Sequence, residues 1–102
     1  MKKFLFSSFL VALMSQSALA HTALMSCFDN GDGSVTCEAG FSDGSSASGV
    51  EFSVIKDGKV VEQGKFDKDS NYTFKKPDGE YQVRMYAGEG HEVIIKSKDI
   101  QE

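Results

Sequence analysis

Apolar and polar residues alternate with a period of two along most of this chain, and no stretch sustains a helical period. Alternation is clearest in Val50-Glu51-Phe52-Ser53-Val54-Ile55 and in Tyr81-Gln82-Val83-Arg84-Met85-Tyr86, which puts every second side chain on one face of an extended strand. Taking such runs between Gly, Asp, Asn and Pro as punctuation predicts seven strands, over 22–28, 34–41, 50–56, 59–65, 71–75, 80–86 and 91–97. Asp57-Gly58 supplies the positive φ angles of a two-residue hairpin, and Lys76-Pro77-Asp78-Gly79 is a second turn. Short strands at this spacing predict an all-β fold, a small seven-stranded antiparallel β-sandwich of immunoglobulin-like or prealbumin-like type. The expected inner faces carry Val50, Phe52, Val54, Val60, Phe66, Tyr72, Phe74, Tyr81, Val83, Met85, Val93 and Ile95. One longer loop, 42–49, is rich in Ser, Gly and Asp.

Residues 1–20 break the pattern. Lys2-Lys3, an apolar run from Phe4 to Met14, and small residues ending in Ala18-Leu19-Ala20 form the three parts of a secretory signal. The run is shorter than the roughly 20 apolar residues a spanning helix needs. The expectation is a cleaved signal peptide over 1–20, one β-sandwich domain over 21–102, a periplasmic location, and no membrane insertion of the mature chain. A lipoprotein reading, through Leu24-Met25-Ser26-Cys27, is disfavoured because polar His21 and Thr22 separate that cysteine from the apolar run. Losing Lys2 and Lys3 takes the net charge from −4 to −6. No basic stripe remains, which argues against nucleic acid and anionic lipid surfaces as partners, whereas an acidic surface suits a protein that meets cations.

Export changes the meaning of the two cysteines. In an oxidising compartment Cys27 and Cys37, ten residues apart across Asp29-Asn30-Gly31-Asp32-Gly33, read as a disulfide within a strand–turn–strand unit. A zinc site is the alternative, but thiolate pairs for zinc sit two to four residues apart. The same turn lacks the residue order of a calcium loop.

Cleavage after Ala20 would make His21 the new amino terminus, whose free amine and imidazole chelate one metal ion. The second histidine, His91, follows the Gly-rich stretch Ala87-Gly88-Glu89-Gly90 and is expected to open the last strand. Together they would give a three-nitrogen site of the histidine-brace type, suited to tetragonal Cu(II) or Ni(II). Candidate further ligands are the carboxylates of Glu89 and Glu92, the Met25 thioether, and Tyr86 as a weak axial oxygen. Each histidine alone is more commonly a solvated surface residue; their combination carries the reading.

Phe41-Ser42-Asp43-Gly44-Ser45 with Gly49-Val50, the hairpin through Asp57-Gly58-Lys59, and Ala87-Gly88-Glu89-Gly90-His91 resemble small carboxypeptidase-regulatory-like domains. More narrowly, the chain is similar to the exported accessory component of bacterial nickel/cobalt energy-coupling-factor transporters. Those chains also begin with histidine after cleavage and carry a Ser-Asp-Gly stretch and an Ala-Gly-x-Gly-His turn. The resemblance spans 21–96. It implies that His21 and His91 are metal ligands, that 41–45 is structural, and that the cargo is nickel or cobalt with a membrane transporter as partner. The cysteine pair lies outside that pattern.

Two other function classes compete. A copper oxygenase acting on polysaccharides is disfavoured, because so small a domain without Trp offers little surface for a polymer. No nucleophile motif accompanies Ser and His, so the chain reads as a non-enzyme. A metal-free β-sandwich interaction module, docking through its edge strands, is the alternative to a metal carrier.

Overall fold

The computed structural model describes residues 22–102, and the expected signal segment and His21 lie outside them. Seven strands form in chain order: β1 (Ala23–Asp29), β2 (Ser34–Phe41), β3 (Glu51–Lys56), β4 (Lys59–Lys65), β5 (Asn71–Lys75), β6 (Gln82–Tyr86) and β7 (Glu92–Lys96), followed by one 3-10 turn at Ser97–Asp99. They build two antiparallel sheets, β1-β2-β5 and β4-β3-β6-β7. The expected β-sandwich is therefore the fold. Strand ends differ from the sequence reading by a residue or two: Thr22, Val50, Tyr81 and His91 belong to the approaches of strands rather than to the strands.

The interior is a cluster of ten buried residues: Val35, Cys37, Ala47, Phe52, Val54, Phe66, Phe74, Tyr81, Val83 and Met85. Val50, Tyr72, Val93 and Ile95 pack against it half-buried. Phe52 is the junction of the two sheets. Its ring lies 4.3 Å from that of Tyr72 and 5.6 Å from that of Phe74, both on β5, and 5.4 Å from Phe66. Offset and edge contacts of this kind add to plain apolar burial.

Val60 corrects the expected inner face, being 54% exposed. The β3–β4 register shifts between Val54 and Ile55, pairing Val54 with Glu62 and Ile55 with Val60, so that Val61 is inserted as a bulge. A residue inserted there reverses the side to which the preceding residues point. Three core residues fell outside the expected set. Val35 and Cys37 alternate inward on β2. Ala47 sits in the long loop, where its N–H donates to the Ser70 hydroxyl at 2.9 Å, and Gly40 bridges Ser46.

Each side of the sandwich is closed differently. On one side Tyr72 crosses from β5 onto the edge strand β4. Its hydroxyl donates to Glu62 at 2.8 Å, and its ring covers Gly64, where a Cβ would come within 2.8 Å of it. Only glycine leaves that ring room. On the other side the edge strands β1 and β7 face each other, and the chain beyond β7 returns to β1: Phe28 bridges Gln101 in parallel, and the Asp29 N–H donates to the Gln101 carbonyl at 2.8 Å.

Cys27 and Cys37 form the expected disulfide. They are direct partners in the β1–β2 register. Hydrogen bonds at Asn30/Ser34 and at Thr22/Ser42 put Cys27/Cys37 on a non-bonded rung, where Cα atoms approach most closely; theirs are 4.0 Å apart. The disulfide fixes the edge strand β1 to the sheet from the inner face.

Two outcomes follow from this packing. Phe52→Ala should cost about 3–5 kcal/mol, most of the stability expected of so small a domain, and urea unfolding would measure it. Burial, with the Glu62 carboxylate beside it, pushes the Tyr72 phenol up to about 12. An unfolded tyrosine ionises near 10, so between about pH 10 and 12 the folded chain holds the extra proton and stability falls as pH rises. Tyr72→Phe should flatten that decline in denaturation midpoints read across the window, and an unchanged slope would contradict the assignment.

Candidate metal site

The start of β1 and the start of β7 share one end of the sandwich. Ala23 pairs with Phe41 at the end of β2. From there the loop crosses to Glu51, which pairs with Tyr86, and Tyr86 pairs with Glu92. The parallel bridge between Phe28 and Gln101 at the far end agrees. Thus β1 and β7, one from each sheet, run side by side in the same direction, and the residues preceding them meet the solvent together.

The approach to β1 is fixed by two hydrogen bonds to a single residue. The Thr22 N–H donates to the Ser42 hydroxyl and the Ser42 N–H donates to the Thr22 carbonyl, both at 2.9 Å. Ser42 itself lies in a tight turn. The Gly44 N–H donates to the Phe41 carbonyl at 2.9 Å, and Asp43 accepts from the Ser45 N–H and hydroxyl at 2.9 and 2.6 Å.

His91 closes the turn between β6 and β7. Its N–H donates to the Gly88 carbonyl at 2.9 Å and its carbonyl accepts the Ala87 N–H at 2.8 Å. Gly88 and Gly90 adopt φ of 115° and 82°, a region in which side-chained residues are strained. His91 is half-buried, as are Val93 and Ile95, whereas Glu92, Ile94 and Lys96 are exposed. Its half-burial is in step with the inward residues Val93 and Ile95 of β7. Its Nδ1 lies 3.2 Å from the Glu89 carbonyl oxygen. A carbonyl can only accept, so this hydrogen bond uses an Nδ1–H, which in the neutral ring is the Nδ1–H tautomer. Metal-binding histidines are oriented by partners of this kind.

The remaining candidate ligands separate. Glu92 faces the outer side, paired with the Arg84 guanidinium, and Tyr86 lies beneath the same guanidinium, 4.6 Å from its ring centre. Met25 is inward on β1 and packs against the core. Glu89 is exposed on the turn and reaches the site through its backbone oxygen. His21 lies outside the described residues. Among those described, no group of three or more His, Cys, Asp or Glu is placed to hold a metal ion. Among the described residues, His91 is the one candidate nitrogen ligand at this end of the sandwich.

Sequence reasoning assigned 41–45 a structural role and missed both the Ser42 latch and the Arg84 clamp. The clamp was recoverable from pairing: residues 84, 86 and 92 share a face once β6 and β7 form a hairpin. A shallow cleft of about 450 Å³, lined by Ile55, Asp57, Gln82, Lys96 and Lys98 among others, lies at the opposite end of the sandwich. Among the described residues no helix is long and apolar enough to cross a membrane. No family model, curated protein or solved structure matches the chain.

The ring geometry has a direct spectroscopic consequence. Neutral His91 should occupy the Nδ1–H tautomer, visible in long-range ¹H–¹⁵N correlation spectra as an unprotonated Nε2. A dominant Nε2–H form would remove the orienting role of Glu89.

Proposed function

We propose that the mature chain, beginning at His21, is a periplasmic metal-binding accessory protein. It takes up one Ni(II), Co(II) or Cu(II) ion as cargo through the His21 amine, the His21 imidazole and the His91 imidazole, and delivers it to a membrane transporter. One observation carries this reading: β1 and β7 begin at one end of the sandwich, and His91 stands at the approach to β7 there with its Nδ1 against the Glu89 carbonyl. His21 is joined directly to Thr22, whose backbone is held to Ser42 at that same end. The chelate is a chemical consequence of signal cleavage, because the amine that replaces a peptide nitrogen has a pKa near 8 and binds a cation readily. An acidic surface favours the approach of cations, and the disulfide between Cys27 and Cys37 suits an oxidising compartment. Glu92 and Tyr86, engaged by Arg84, are left out of the ligand set.

The test is native intact mass of the protein exported to a periplasm and then exposed to limiting Ni(II) or Cu(II). The expected species starts at His21, is two hydrogens light, and retains one metal. His91→Ala should lower the affinity by about a hundredfold or more, since loss of even a supporting partner of a ligand costs about 10–100-fold. A His21 start with no retained metal would leave the metal-free interaction module as the better reading.

A further inference from the structure

We infer that the hairpin half of β4, Lys59-Val60-Val61-Glu62, is a self-pairing edge through which two copies of this chain associate about a two-fold axis. This edge lies toward the end of the sandwich opposite His91 and owes nothing to the metal reading.

β4 pairs with β3 alone, so its other edge is open. Tyr72 covers that side over Glu62 and Gly64. Toward the Asp57-Gly58 turn, Val60 and Val61 stand 54% and 56% exposed, the most exposed large apolar side chains among the described residues. The bulge decides where this segment points. Cross-strand partners share a face of the sheet. Glu62 pairs with buried Val54, and Lys59 pairs with Lys56, which alternation along β3 puts on the same inner side. Val60 pairs with Ile55 on the outer side, and Val61, next to inward Glu62, is outward too. With one residue inserted, the four positions run inward, outward, outward, inward, the same from either end. In a regular strand Lys59 and Glu62 would fall on opposite faces.

A second copy laid antiparallel beside β4, with the axis between Val60 and Val61, therefore matches every position. Lys59 of each copy comes opposite Glu62 of the other on the inner side, and four valines meet on the outer side. Opposite charges directly across a strand pair are favourable, whereas like charges are not. A register centred on Glu62 would instead set Lys59 against Lys65. Glu62 accepts from the Tyr72 hydroxyl through Oε2, and a carboxylate has lone pairs left for an ammonium group. The bulge breaks up longer ladders along this edge, which confines the contact to these four residues and makes it weak and reversible. Both copies use the same patch, so association closes at two.

Sedimentation equilibrium of the mature, disulfide-bonded protein in chelator, from micromolar to millimolar chain, reads this association directly. The unaltered chain should pass from monomer to dimer across that range. Lys59→Glu sets Glu against Glu at both ends of the contact and should weaken it about tenfold or more. Glu62→Lys should do the same. Mixed in equal amounts, the two variants regain opposite charges at both ends and should associate about as tightly as the unaltered chain. Should Glu62→Lys unfold for want of the Tyr72 acceptor, Val61→Asp on the outer face takes its place and should leave the chain monomeric. A chain monomeric at millimolar concentration overturns the inference. So does a dimer indifferent to Lys59→Glu or Val61→Asp, or a pair of folded charge variants that fail to associate when mixed. Metal affinity in His91→Ala bears on none of these outcomes.

Discussion

Phe52 stands where the two sheets of this domain touch, in contact with two rings of β5 and with Phe66 at the crossing between β4 and β5. A domain this small buries few large side chains, so the relative placement of its sheets depends on one aromatic joint more than on distributed packing. With that joint in place, the sides of the sandwich become the problem, because edge strands left open invite pairing with other chains. Tyr72 closes one side by lying over Gly64 and bonding Glu62. The returning segment at Gln101 closes the other, against a β1 that the disulfide holds to β2.

The second closure has a consequence for chemistry. Bringing the chain back to β1 in parallel obliges β7 to start where β1 starts. Two strand approaches far apart in sequence are thereby delivered to one end of the sandwich, one carrying Thr22 and the other carrying His91. No long loop or added element is needed. The Thr22 approach to β1 and a histidine on a Gly-rich turn come to the same end through topology, and hydrogen bonds from Ser42 and to the Glu89 carbonyl restrict both approaches. Arg84 meanwhile occupies Glu92 and Tyr86 on the outer face, which keeps those oxygen donors away from the inner side.

Most of the strand order was legible because punctuation is strong in this chain: Asp57-Gly58 and Pro77-Asp78-Gly79 end runs whose alternation is unambiguous. Val60 misled because a bulge cannot be seen in alternation alone; inserting Val61 reverses the face on which its predecessors fall. Ala47 was hidden for the opposite reason, a single apolar residue in a Ser-rich loop that becomes core only when Ser70 captures its amide. For the site, His91 and its turn could be read from spacing. The split between Glu89, which supplies a carbonyl, and Glu92, which is clamped, depends on which face each residue takes across the β6–β7 hairpin. Sequence neighbours of a histidine need not share its face of the sheet.

The central claim, that the starts of β1 and β7 jointly hold one metal ion, is tested most directly by anomalous diffraction from crystals of the mature chain grown with Ni(II). The account predicts one anomalous peak at that end of the sandwich, about 2 Å from His91 Nε2 and from the amino-terminal nitrogen of His21, at ordinary metal–nitrogen bond length. A peak on Glu92 or at the cleft beside Lys96, or none at the end where β1 and β7 begin, would contradict it.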